Sequence, residues 1–222
     1  MTNNQLRDLT DLPQERLVNV NLTNNKIDNC KEFNGGVCKS VKRLNLTKNR
    51  LEDLKGLSCM PVLLELNLSA NRITNLCGIE DFPCLSKLNL SSNKIVEFER
   101  FPALPALKEL DLTGNKIASA EAIAKLSHLS CLENLDMTGN PIHEEKGDDL
   151  RKEIIIALIE LPWKNINGEG GEIDETQITE AREEKEERRK LAEEAEKERL
   201  AELAALEEEK KRAEAEAAEA GV

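Results

Sequence analysis

A chain of 222 residues suits one or two domains, and its 43 acidic against 31 basic residues set a net charge of −12. Four Phe, one Trp and no Tyr leave little for a nucleic-acid base to stack on, and no excess of cations is there to hold a phosphate backbone, so a nucleic-acid partner is not expected. No apolar run nears the roughly 20 residues of a membrane-crossing helix, and the opening residues, MTNNQLRDLTDLPQE, lack the basic and apolar regions of a secretory signal; the expectation is a soluble intracellular protein.

Residues 1–16 place Leu6, Leu9 and Leu12 at three-residue spacing, which reads as a helical N-terminal cap. Over residues 17–142 a pattern LxxLxLxxNxI then recurs six times, starting at Leu17, Val41, Leu63, Leu85, Leu107 and Leu132. Its asparagines, Asn25, Asn49, Asn71, Asn93, Asn115 and Asn140, lie 24, 22, 22, 22 and 25 residues apart. One such unit cannot bury its own leucines, whereas a stack makes one continuous core. The pattern therefore specifies an α/β leucine-rich repeat solenoid of about six repeats. The LxL of each repeat forms a strand of a parallel concave sheet, and each Asn turns the chain out of its strand. The return segments carry a second apolar set, such as Ile73, Leu76, Ile79 and Phe82. Pro61, Pro83, Pro102 and Pro105 limit any helix there to a short turn.

Residues 143–167 read as a helical C-terminal cap, with the apolar stretch Ile154 to Ile159 inside a helix around Leu150 to Leu161 and Pro162-Trp163 after it. Residues 168–173 are a Gly-rich linker; no Lys-Ser/Thr follows the glycines, as phosphate cradling would require. Residues 174–220 form a charged tail of Ala, Glu, Lys, Arg and Leu, strong helix formers, with 18 acidic and 10 basic residues from Asp174 onward. Pairs such as Glu184–Arg188, Glu193–Lys197 and Glu207–Lys211 place Glu four residues before a cation and support a helix. Leu191, Leu200, Leu203 and Leu206 give only a broken coiled-coil seam, so a single helix, a weak coiled coil and functional disorder all stay open.

Six scattered cysteines without a CxxC pair, and two histidines near none of them, read as reduced thiols packed at loops and repeat edges; no metal or other cofactor is expected. Four Asn-x-Ser/Thr sequons, at Asn21, Asn45, Asn67 and Asn89, fall inside strands and are by-products of the repeat.

Candidate binding residues are those that point outward from the strands. One column runs Asn19, Arg43, Glu65, Lys87, Glu109, Asn134, and its alternating charges can pair across strands about 4.8 Å apart. The next runs Asn21, Asn45, Asn67, Asn89, Asp111, Asp136, and the third Thr23, Thr47, Ser69, Ser91, Thr113, Thr138. Glu109, Asp111, Glu133 and Asp136 make the C-terminal end acidic, suited to a basic peptide or helix. The partner-binding set is thus Arg43, Glu65, Lys87, Glu109, Asp111, Glu133 and Asp136. Asp111 and Asp136 sit on an open sheet without a pocket, and no nucleophile with a neighbouring His is visible, so the chain is not read as an enzyme.

The period, the repeat pattern and the cap over residues 17–170 resemble the intracellular leucine-rich proteins related to the Sds-type regulator of protein phosphatase one. That group includes the spliceosomal A-prime protein, the acidic leucine-rich nuclear phosphoproteins and the leucine-rich light chain of axonemal dynein. Asn140-Pro-Ile, Arg151, Ile155 and Leu161-Pro162 match the cap pattern; Leu150 stands where a Tyr is usual, and Ile166-Asn167-Gly168 where Leu-Asp-Gly is usual. The resemblance implies a non-catalytic scaffold that binds other proteins within a larger multi-subunit complex. Joined to a charged helix, as in proteins of cilia and flagella, it implies an axonemal or other cytoskeletal assembly and a cytoplasmic or ciliary location. The alternative is a phosphatase regulator or an acidic nuclear histone-binding chaperone, although ten cations in the tail depart from the unbroken acidic tails of the chaperones.

Overall fold

A computed structural model of the chain describes residues 17–30, 39–55, 57, 60–76, 79, 82–98, 101–147, 149–167, 169–170 and 175–219, with side chains left out at 169–170 and from 208 onward. The expected cap at 1–16 and most of the expected linker lie outside the described residues. The chain divides into two units, Met1–Ile178 and Thr179–Val222.

In the first unit six strands of three residues centre on the predicted LxL motifs: β1 (Asn19–Asn21), β2 (Arg43–Asn45), β3 (Glu65–Asn67), β4 (Lys87–Asn89), β5 (Glu109–Asp111) and β6 (Asn134–Asp136). They pair parallel in sequence order, residue for residue, so that Leu44, Leu66, Leu88, Leu110 and Leu135 form one row. A seventh strand, β7 (Asn165–Ile166), adds parallel to β6 and extends the row by Ile166, and β8 (Glu169–Gly170) closes the eight-stranded sheet antiparallel. The sheet thus runs past the last repeat into the cap, and Glu169–Gly170 belongs to it instead of to a linker.

Behind the strands the repeat leucines are sealed. Val41, Leu63, Leu85, Leu107 and Leu132 are fully buried, as are Leu46, Leu68, Leu90, Leu112 and Met137 one turn on. Each contributes about 1.5–3 kcal/mol on leaving water. Phe98 and Phe101 add an edge-to-face pair with ring centres 5.1 Å apart.

The asparagine ladder holds each repeat to the one before it. Asn71 donates from Nδ2 to Leu68 O in its own repeat and to Leu46 O in the preceding one, while its Oδ1 accepts from Leu51 N at 3.1 Å. Asn49, Asn93, Asn115 and Asn140 repeat this arrangement. All six ladder asparagines are buried, which only complete hydrogen bonding makes tolerable. The residue before each is left-handed: Asn24, Lys48, Ala70 and Ser92 at φ 54–57°, then Gly114 and Gly139 at 64° and 66°. Only the last two use the residue for which that conformation costs nothing.

Between β5 and β6 the chain forms α1 (Ala120–Ala124), capped by Ser119 Oγ, which accepts from Glu121 N. The cap helices are α2 (Pro141–Lys146), opened by a proline at its first turn, and α3 (Asp149–Ala157). Leu150, Ile154, Ile155 and Ile156 bury the inner face of α3. The helix ends earlier than the expected Leu150–Leu161: beyond Ala157 the chain turns through Leu158–Leu161 into Pro162, and Trp163 Nε1 donates to Leu158 O.

Cys30 is buried, and burial, with the nearby Asp53 charge second, pushes its thiol up to about 12. Cys84 and Cys131 are exposed, not packed at repeat edges as expected.

The second unit is occupied by most of α4 (Glu175–Glu219), a helix of 45 residues and about 67 Å. No helix among the described residues is long and apolar enough to cross a membrane.

Candidate functional site

The outward faces of β1–β7 line an open trough of about 790 Å³. The strand alternation that sends Leu44, Leu66 and Leu88 inward sends Arg43, Glu65, Lys87 and Glu109 into this trough in adjacent register positions. The expected cross-strand pairing is present: Arg43 Nε lies 3.0 Å from Glu65 Oε2, and Lys87 Nζ 2.7 Å from Glu109 Oε1. The hydrogen bond from Lys87 to Glu109, reinforced by the carboxylate's charge, holds the ammonium above its usual range. These four residues neutralise one another, and being exposed they contribute little to stability.

Glu133 is placed differently from the other acids. It sits one residue before β6, between Lys164 Nζ at 2.7 Å and Lys108 Nζ at 3.7 Å, with its side chain only 19% exposed. The Lys164 hydrogen bond holds its carboxyl below the ordinary range. The acidity expected at the C-terminal end is therefore offset at Glu109 by Lys87 of β4, and at Glu133 by Lys108 and Lys164, which stand just before β5 and β7.

Asp111 and Asp136 remain. They are register partners on β5 and β6, and among the described residues neither has an ion pair. Each spends one oxygen on the turn that follows it: Asp111 Oδ1 accepts from Thr113 N at 2.9 Å and Asp136 Oδ1 from Thr138 N at 3.0 Å. Asn45, Asn67 and Asn89 do the same for the backbone two residues on, so Asn and Asp serve the turn alike in this column. Asp111 Oδ2 also takes a hydrogen bond from Asn89 Nδ2 at 2.8 Å. Thr138 Oγ1 donates to Asp136 Oδ1 as well. The column thus presents amides at its first four positions and carboxylates at its last two.

Lys108, Lys164 and Asn165 were not among the sequence candidates. Asn165 continues the column of Asn134 and Glu109 along β7, and its Oδ1 is buried without a hydrogen-bond partner among the described residues. Asn167 Oδ1 accepts from Met137 N, replacing a backbone carbonyl where the parallel pairing stops. The usable signal was Lys164-Asn165-Ile166-Asn167, a fragment of the repeat lacking its flanking leucines.

Comparison with known proteins agrees with this geometry. The family described as "Leucine rich repeat" matches residues 83–142. A leucine-rich repeat protein of Leptospira interrogans is similar at 29% identity and TM-score 0.54, over 66% of this chain and 36% of that one. The TLR13 chain of a TLR13–ssRNA13 complex is similar at 29% identity and TM-score 0.56, over 61% of this chain and 20% of that one. The chain therefore spans about a third and a fifth of the lengths of these two. The Drosophila melanogaster SNF/U2A' complex contains a chain 22% identical over 59% of this one and 78% of its own length, at TM-score 0.48. No curated protein sequence matches. The fold is the leucine-rich repeat.

Proposed function

We propose that this chain is a non-catalytic protein-interaction scaffold whose concave sheet docks a basic segment of a partner over Asp111 and Asp136. The observation that carries this is the charge pattern of the trough. Arg43, Glu65, Lys87 and Glu109 are paired and Glu133 is clamped by two lysines, while the two neighbouring aspartates lack a cation among the described residues. An arginine or lysine set between them replaces water with charge-assisted hydrogen bonds, each about 1.5–3 kcal/mol. The paired residues Arg43, Glu65, Lys87 and Glu109 set register and reject mismatched partners. Acidic side chains outnumber basic ones along the strands, which does not favour the nucleic acid held by TLR13 in its complex.

The repeat platform and the charged helix α4 in one chain support membership in a larger assembly. A cytoskeletal complex of the axonemal kind, in the cytoplasm or cilium, is the reading preferred here. Helical α4, with its internal ion pairs, differs from the nearly unbroken acidic tail of a nuclear histone chaperone.

The test uses Asp111→Asn with Asp136→Asn. Asparagine already fills this column at Asn45, Asn67 and Asn89 and keeps the turn's acceptor, so the fold should be unchanged while both charges go. Affinity capture with the full chain should retain axonemal or tubulin-associated subunits, and the double variant should lose them by at least about tenfold. Equal capture by both chains would remove the aspartates from the site. Capture of histones or a phosphatase subunit instead would replace the cytoskeletal reading.

A further inference from the structure

Four leucines of α4, Leu191, Leu200, Leu203 and Leu206, are each at least half exposed. At roughly 100° per residue they fan across one half of the helix, with Ala192 and Ala195 between them. A single helix in water leaves this face uncovered. Its leucines are too few and too unevenly spaced for an ordinary heptad seam, so charge must choose what covers it.

The charge of α4 comes in blocks. Arg188-Arg189-Lys190 follow Glu186-Glu187, and toward the other end Glu207-Glu208-Glu209 precede Lys210-Lys211-Arg212. Three consecutive residues sweep about 200° of a helix, so part of each block faces a neighbour whichever side that neighbour takes. A parallel, in-register copy sets every block against itself. An antiparallel copy, turned about the midpoint between Glu198 and Arg199, sets the basic block 188–190 against the acidic block 207–209. It also places Glu187 opposite Lys210, Glu186 opposite Lys211 and Leu191 opposite Leu206. Over residues 185–191 only Lys185, opposite Arg212, meets a like charge.

We propose that α4 pairs antiparallel with α4 of a second copy of this chain, covering the exposed leucines and joining two repeat platforms into one dimer. The pairs within the helix are compatible with this. Arg188 holds Glu184 at 2.6 Å and Arg189 holds Glu186 at 2.8 Å, yet the arginine side chains stay 47% and 64% exposed. A guanidinium with five donors can serve both helices. Because the arginines of the basic block are exposed, salt screens them and weakens the dimer.

Sedimentation of the full chain at low ionic strength should show a dimer that dissociates as salt is added. The variants R188E/R189E/K190E and E207K/E208K/E209K each set like charges together at both ends of the pairing, and each alone should sediment as a monomer. Mixed in equal amounts they should form a heterodimer, since each carries the block the other needs. Replacing Leu191→Ser with Leu206→Ser leaves every charge in place and should still weaken association at least about tenfold. A wild-type monomer at low salt, reversal variants that stay dimeric, a mixture that stays monomeric, or an undiminished leucine variant would each overturn the proposal.

Discussion

The repeat region and α4 are both regular, but they hold themselves together over opposite distances. In the repeats the stabilising contacts cross from one repeat to the next, as when Asn71 Oδ1 accepts from Leu51 N and the leucine rows stack from strand to strand. In α4 the ion pairs among the described residues, such as Glu184–Arg188 and Glu186–Arg189, join residues three or four apart. The first region fails or survives as neighbours; the second is a sum of small local terms, and it leaves its leucines to be covered by something else. One chain thus carries a part whose stability is internal and a part whose energetics invite association.

Substitutions measure that contrast. Leu66→Ala, in the middle of the strand row, should cost about 2–5 kcal/mol in chemical denaturation, with the loss shared by repeats on both sides. Asn71→Ala should cost about 2–4 kcal/mol, because Leu51 N and the carbonyls of Leu46 and Leu68 lose a buried partner. Ala70→Gly tests the left-handed column in the other direction: relief of backbone strain should raise stability by about 0.5–1 kcal/mol. In α4, Glu184→Ala removes the pair with Arg188 and should shift helicity by no more than about 0.5 kcal/mol. An effect there as large as at Leu66 would erase the distinction between the regions.

A pH series probes Glu133. Its folded carboxyl is held low by Lys164, so its contribution is present above the ordinary carboxylate range and is lost as pH falls through the lowered value. Wild type should therefore be more stable than Glu133→Gln at neutral pH, with the gap closing in acid. An advantage that grew on acidification would contradict the Lys164 contact.

Much of the first region could be read in advance because its period is a physical requirement. Strands that share one sheet must present leucines at one interval, and the LxL motifs fell on β1–β6 with Arg43–Glu65 and Lys87–Glu109 paired as their order predicted. What escaped was whatever broke the period. Lys164, just before β7, reaches Glu133 from 31 residues on, and Ile166 of β7 lacks the leucines that mark the other strands. The left-handed column was hidden for a different reason: Lys48, Ala70 and Ser92 adopt a glycine conformation without being glycine, because the surrounding ladder enforces it. For α4, composition signalled the helix, but no local property of a helix states what lies beside it.

The asparagine ladder has one more consequence. Each buried Asn reaches only its own repeat and the one before it, so nothing in the stack counts how many repeats there are. A duplicate of residues 63–84, spliced in after Cys84, would meet the same amide, the same carbonyls and the same leucine row on either side. The docking face could then be lengthened in whole steps of about 4.8 Å without redesigning either end. Growth by copying is already written into how neighbours touch.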